Sequence, residues 1–126
     1  MTPIEMTTEL SMPDAERAVR SALAGQGFGV LTEIDLAATL REKLGVERRP
    51  MKILGACNPE FANRALDVNA DVSLLLPCNV VLSETDSGTR IAAVDPRQLL
   101  DDASFLALAQ EAAERLMAAL SAVPTH

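Results

Sequence analysis

Short apolar runs alternate with amphipathic stretches along this chain, and the period of each stretch indicates the element it favours. Ile4 to Leu10 mixes Thr with Ile, Met and Leu in rough alternation, as a strand with one buried face does. Ser11, three residues before Asp14 and with Pro13 in the first turn, makes a capping box. In the helix it opens, Ala15, Ala18, Val19, Ala22 and Leu23 share one face, while Glu16, Arg17 and Arg20 lie on the other, and Gly25 and Gly27 end it. Phe28 to Ile34 reads as a second strand. Asp35 then caps a helix carrying Leu36, Leu40 and Leu44 on one stripe, closed by Gly45. Met51 to Cys57 is apolar but for Lys52 and suits a strand covered on both faces or at one end, after which Asn58 and Pro59 open a short helix through Leu66. Ser73 to Glu84 favours extended chain, with a bulge or strand entry at Pro77, which has no amide hydrogen for a ladder. Asp86, Ser87 and Gly88 turn the chain into a strand from Thr89 to Val94, ended by Asp95 and Pro96. The last and longest element is a helix opened by Asp101 and Asp102, with Leu106, Ala109, Ala113, Leu116, Met117 and Leu120 as its stripe before Pro124.

This order predicts an α+β fold, a mixed or antiparallel sheet with helices packed on it, as one domain over residues 1–126. The length is enough for one hydrophobic core without disulfide staples. With Phe28, Phe61 and Phe105 as the sole aromatics, that core must rest on many small aliphatic contacts. The net charge of -7 repels phosphate backbones and anionic headgroups, so neither nucleic acid nor a membrane surface is an expected partner. Met1 to Ser11 has neither the basic start nor the apolar run of a signal peptide, and the apolar run Leu74 to Cys78 is far too short to span a bilayer. Two cysteines are too few for a secreted disulfide scaffold, and a reducing cytoplasm is the expected location. One long helix and an exposed sheet edge make a symmetric dimer an economical way to cover leftover apolar surface.

The lone histidine, His126, excludes a catalytic triad and any metal site built on several imidazoles of one chain. The best candidate for chemistry is Cys57, in Gly55-Ala56-Cys57-Asn58-Pro59, where a strand gives way to a helix start whose amides favour an anion and lower a thiol pKa. Cys78 lies in a similar setting, Leu76-Pro77-Cys78-Asn79. The plainer reading makes both cysteines buried small hydrophobes. Were the sulfurs to meet, they could form a redox disulfide or hold a soft ion such as Cu(I), whereas zinc would want two more ligands from a second chain. Their spacing matches no recognised ligand pattern, so no metal or cofactor is expected. Lys52 must reach solvent, an acidic partner such as Glu33 or Asp35, or a bound anion; the plainer reading is a snorkelling lysine or an ordinary ion pair. Gly25-Gln26-Gly27-Phe28-Gly29 follows a helix and precedes a strand, the reverse of a phosphate loop. Glu33, Asp35, Asp67 and Asp71 form no spacing that identifies an acid and base pair.

Four segments together resemble the bacterial and archaeal family catalogued as domain of unknown function 302. They are Gly27-Phe28-Gly29-Val30-Leu31-Thr32-Glu33-Ile34-Asp35, Lys52-Ile53-Leu54-Gly55-Ala56-Cys57-Asn58-Pro59, Leu75-Leu76-Pro77-Cys78-Asn79-Val80 and Ala93-Val94-Asp95-Pro96. The resemblance runs from the first helix to the final hairpin. It implies a small α+β fold of the TATA-binding-protein-like class, often homodimeric, and no established activity. Its motif matches include Lys52, Cys57, Asn58 and Cys78, without a catalytic role for any of them. The expected function is therefore a homodimeric cytoplasmic binding domain for a small anionic or thiol-reactive ligand near Cys57, with Lys52, Asn58, Cys78 and Glu33 as its other candidate residues. The alternatives are a cysteine-dependent enzyme in which Lys52 or Glu33 assists Cys57, and an interaction module without a small-molecule site.

Overall fold

A computed structural model describes residues 1–100 and 102–126. The chain runs β1 (Ile4–Thr8), α1 (Met12–Gly25), β2 (Gly29–Asp35), α2 (Leu36–Leu44), β3 (Met51–Cys57) and α3 (Pro59–Val68). A 3₁₀ segment (Ala70–Leu75), β4 (Cys78–Thr85), β5 (Gly88–Ala93), α4 (Pro96–Leu99), a 3₁₀ turn (Ala103–Phe105) and α5 (Leu106–Ser121) follow. The five strands lie in the order β1-β5-β4-β3-β2, and every neighbouring pair is antiparallel. Of the mixed and antiparallel arrangements that the pattern allowed, the sheet takes the second. α1 carries the chain from one edge strand to the other.

Strand alternation decides which side chains reach the helices. Leu54 and Ala56 of β3, Val80 and Leu82 of β4, and Ile91 and Ala93 of β5 point into a core completed by Ala15, Val19 and Leu23 of α1 and Leu116 and Leu120 of α5. A smaller cluster, Phe61, Ala65, Val72, Phe105, Leu108 and Ala112, sits against the N-terminal half of α5. One helix therefore serves two apolar clusters.

Local capping follows the chemistry of the residues. The Ser11 hydroxyl accepts from the Asp14 amide, Asp35 Oδ1 from the Ala38 amide at 2.9 Å, and Gly45 closes α2 at φ 69°. The stripe on α2, however, is not buried in the single chain, and Leu44 is 70% exposed.

Three expectations need correction. Ser73 to Leu75 is not extended: the Asn69 side chain accepts from the Asp71 amide and starts a 3₁₀ segment, so extended backbone resumes only at Leu76 and the strand begins at Cys78, directly after Pro77. Of the stripe expected on α5, Ala109, Ala113, Leu116 and Leu120 are buried and Met117 is partly so, but Leu106 is 68% exposed, and Leu108, Ala112 and Ala119 join the buried face. Alanines on almost every side of this helix leave its apolar face underdetermined by period alone. Asp102 caps the 3₁₀ turn ahead of α5 rather than α5 itself, and Asp101 lies outside the described residues.

Candidate functional site

The candidate residues fall at the two ends of β3. Lys52 and Cys57 are five residues apart on one strand, about 16 Å at roughly 3.3 Å per residue. They belong to different sites.

At the Cys57 end, the strand gives way to α3 through Asn58. Its Oδ1 accepts from the Phe61 amide at 3.3 Å, and its Nδ2 donates to the Gln26 carbonyl at 3.2 Å. The buried amide thus caps α3 and ties it to the end of α1, so its chief work is structural. Gly27 sits at φ 83°, where a Cβ would stand 3.0 Å from Asn58 Nδ2. Across the ladder, Cys78 opens β4 in register with Ala56, the residue before Cys57. Gly55 lets the layers close: a Cβ there would lie 2.8 Å from Pro77 Cγ and would collide with the Thr32 hydroxyl.

A cavity of about 50 Å³ lies at this end of the strand. Cys57, Cys78 and Asn58 share its wall with apolar side chains that include Phe28, Phe61 and Leu76, and no Lys, Arg, Asp or Glu contributes to the lining. Since about 10–15 Å³ suffices for one water, the space suits a ligand of only a few heavy atoms. The guanidinium groups of Arg64 and Arg115 stand 5.5 and 5.7 Å from the centre of the Phe61 ring. Burial, helped by the charge of nearby Cys57, pushes the Cys78 thiol up to about 11. Cys78 therefore stays protonated at neutral pH. The sequence brought attention to both sulfurs, but Phe28, Phe61 and Leu76 were missed as walls; Phe61, one turn past a recognisable N-cap, carried the available signal.

At the other end of β3, Lys52 Nζ donates to Glu33 Oε1 at 2.6 Å and to Glu16 Oε1 at 2.8 Å. Arg20 reaches the remaining oxygens of the same two carboxylates, Glu16 Oε2 at 3.0 Å and Glu33 Oε2 at 2.9 Å. Two cations and two anions thus form a closed ring. Hydrogen bonds to Glu16 and then Glu33 hold the Lys52 ammonium above its ordinary value. Burial alone would raise the Glu16 carboxyl, but hydrogen bonds from Lys52 and Arg20 outweigh it and hold the group below its ordinary range. A lysine so occupied is a poor base. Asp35 pairs with Lys52 in backbone register, yet its carboxylate caps α2. Lys52 and Glu33 therefore meet each other, while Cys57, Cys78 and Asn58 line one cavity. Glu16 and Arg20 were read only as the polar face of α1; their i, i+4 spacing was the clue to a shared partner.

Among the described residues no group of three or more His, Cys, Asp or Glu is disposed to hold a metal ion, and no helix is long and apolar enough to cross a membrane. A family model described as "Domain of unknown function DUF302" matches residues 4–123. Among solved structures, the chain is similar to the crystal structure of an uncharacterized conserved DUF302 protein from Bacillus stearothermophilus, with 29% identity and a TM-score of 0.87 over 94% of this chain and 95% of that one. No curated protein matches.

Proposed function

The chain belongs to the DUF302 family, whose function is unknown, and from that premise we propose that it is a binding domain for a small thiol-reactive ligand taken into the cavity beside Cys57. The carrying observation is that Cys57, Cys78 and Asn58 line one small, otherwise apolar cavity. The lining favours a neutral or soft ligand over a hard anion, because the cation once considered for an anion, Lys52, is bound to two carboxylates at the far end of β3. The same separation favours binding over cysteine catalysis, since neither Lys52 nor Glu33 lies within reach to move a proton for Cys57. Both thiols are free, which fits a reducing setting such as the cytoplasm.

The test is reagent selectivity at Cys57. Neutral methyl methanethiosulfonate should convert it to the methyl disulfide about tenfold faster than a sulfonate-bearing reagent of the same chemistry, because the apolar wall penalises charge. Equal rates, or modification only after denaturation, would overturn the reading.

The partner we propose is a second copy of the chain. Leu31 (67% exposed) and Ile34 (45% exposed) lie on the edge strand β2, and Leu44 and Val46 stand exposed at the end of α2. A bulge between Val30 and Thr32 interrupts the pairing of this edge strand with β3, which favours a contact of side chains over edge-to-edge strand pairing. Sedimentation at micromolar concentration should give the mass of two chains, and Leu31→Glu with Ile34→Lys should give one. A wild-type monomer under those conditions would sink the dimer.

A further inference from the structure

We infer that the cleft between β1, α4 and the C-terminal half of α5 is a second ligand site, built for an uncharged carbonyl compound with an apolar, aromatic body. It shares no lining residue with the cavity beside Cys57 and does not depend on that reading. Its volume of about 480 Å³ falls within the range of roughly 300–1,000 Å³ found for small-molecule sites. The walls are fixed before any ligand arrives. On one side the residues leading into β1 are tied to α4: the Thr2 amide donates to Gln98 Oε1 at 3.0 Å, and Gln98 Nε2 donates to the Thr2 carbonyl at 2.9 Å. On the other, the tail after α5 is tied to the end of β1, where the Thr8 hydroxyl donates to the Pro124 carbonyl at 2.7 Å and the Glu9 amide to the Thr125 carbonyl at 2.8 Å. Little freedom is therefore lost in ordering the cleft when something binds. Ile4, Met6, Met117 and Leu120 supply its apolar lining, and the two polarizable thioethers suit an aromatic ring.

The polar part of the site is Arg97, which lines the cleft beside Asp95. Its Nε donates to Oδ1 and Oδ2 of Asp95 at 2.9 and 3.2 Å, and its Nη2 donates to Oδ2 at 2.7 Å, on a carboxylate whose side chain is only 8% exposed. Among the described residues Nη1 has no hydrogen-bond partner. The guanidinium is thus held in place with its charge already met, and it keeps N–H donors for a guest. A carboxylate or phosphate guest would meet Asp95 and also Glu114, whose charge acts on Arg97 from nearby. The remaining acid of the lining, Glu5, is held by Arg90 at 2.6 Å and leaves no cation over for an anion. This balance selects an acceptor without charge, and a carbonyl oxygen is the simplest that an N–H donor recognises.

The experiment follows isotope-labelled methionine methyl groups of the full chain by NMR during titration with acetophenone and, separately, with benzoate, its anionic near-isostere. Acetophenone should shift Met6 and Met117 and leave Met12 and Met51, which lie outside the cleft, in place. Benzoate should bind about tenfold more weakly, because its charge meets acids whose cations are taken. Ser121→Trp, at an exposed position of the lining, should abolish the shifts, and Arg97→Met should weaken acetophenone about tenfold through the lost donors. Should Arg97→Met fail to fold for want of a partner for Asp95, Ser121→Trp and the wild-type order of the two ligands decide the matter. Unmoved Met6 and Met117 signals, equal shifts at every methionine, or shifts that survive Ser121→Trp would overturn the inference. So would benzoate bound as tightly as acetophenone, or a folded Arg97→Met chain that binds acetophenone as the wild type does.

Discussion

The two ends of β3 finish the same strand with opposite chemistry. At Lys52 each cation faces two carboxylates and each carboxylate two cations, and the ring is complete within the chain. At Cys57 the strand runs into a space lined by two cysteines, Asn58 and hydrocarbon. Among the described residues no buried side-chain nitrogen or oxygen lacks a hydrogen-bond partner, so the capacity for bonding that remains unused in the interior is mostly sulfur. A saturated polar cluster holds elements together and offers little to a visitor. A half-buried pair of soft atoms contributes little to the fold beyond packing and retains its chemistry.

The largest effect separating the two ends should come from alkali. The buried Cys78 thiol ionises near pH 11 in the folded protein and near pH 9 when exposed, so its contribution is complete below pH 9 and is lost as pH rises from 9 to 11. Relative to Cys78→Val, the wild type should lose on the order of 2 kcal/mol across that window in denaturant titrations. Parallel curves would mean that the thiol is not shielded. Next, Gly55→Ala drives a methyl into Thr32 and Pro77 near the Cys57 end of β3 and should cost about 1–3 kcal/mol, read as a lowered urea midpoint. A negligible cost would show that this contact yields easily and would blur the contrast. The smallest effect is expected at the polar end. Lys52→Met should cost about 1 kcal/mol or less at neutral pH, because part-exposed ion pairs gain little net energy. Glu16, held low in the folded state, contributes stability above the ordinary carboxylate range that is lost as pH falls through its folded value, so the variant should show a shallower acid limb. A loss of several kcal/mol at neutral pH would make this ring, and not the apolar core, the main anchor of β3.

What could be read in advance was what is encoded locally. Ser11, Asp35 and Asn58 each cap the helix that follows, because a short polar side chain before a helix reaches back to its free amides whatever packs around it. The pairing of Lys52 with Glu33 was also accessible, since both lie on strands expected to neighbour each other. Glu16 was not, because it reaches Lys52 only once α1 docks on the sheet. That Cys57 and Cys78 line one cavity could be raised but not decided in advance: it depends on β4 returning beside β3 in a register set after α3 and a 3₁₀ detour that the run Ser73-Leu74-Leu75 does not announce. The face of α5 was legible at Ala109, Ala113, Leu116 and Leu120 but not at its edges, because alanines fit a buried or an open position equally well.

The strand order carries a kinetic consequence. β1 is the first strand to be synthesised, yet its one neighbour in the sheet is β5, the last. During synthesis Ile4 and Met6 must wait until Ile91 and Ala93 emerge before they find their partners, whereas β2, β3 and β4 can zip together in passing. Closing so long a loop sets the tempo of folding, and this border of the sheet is the natural last piece to arrive.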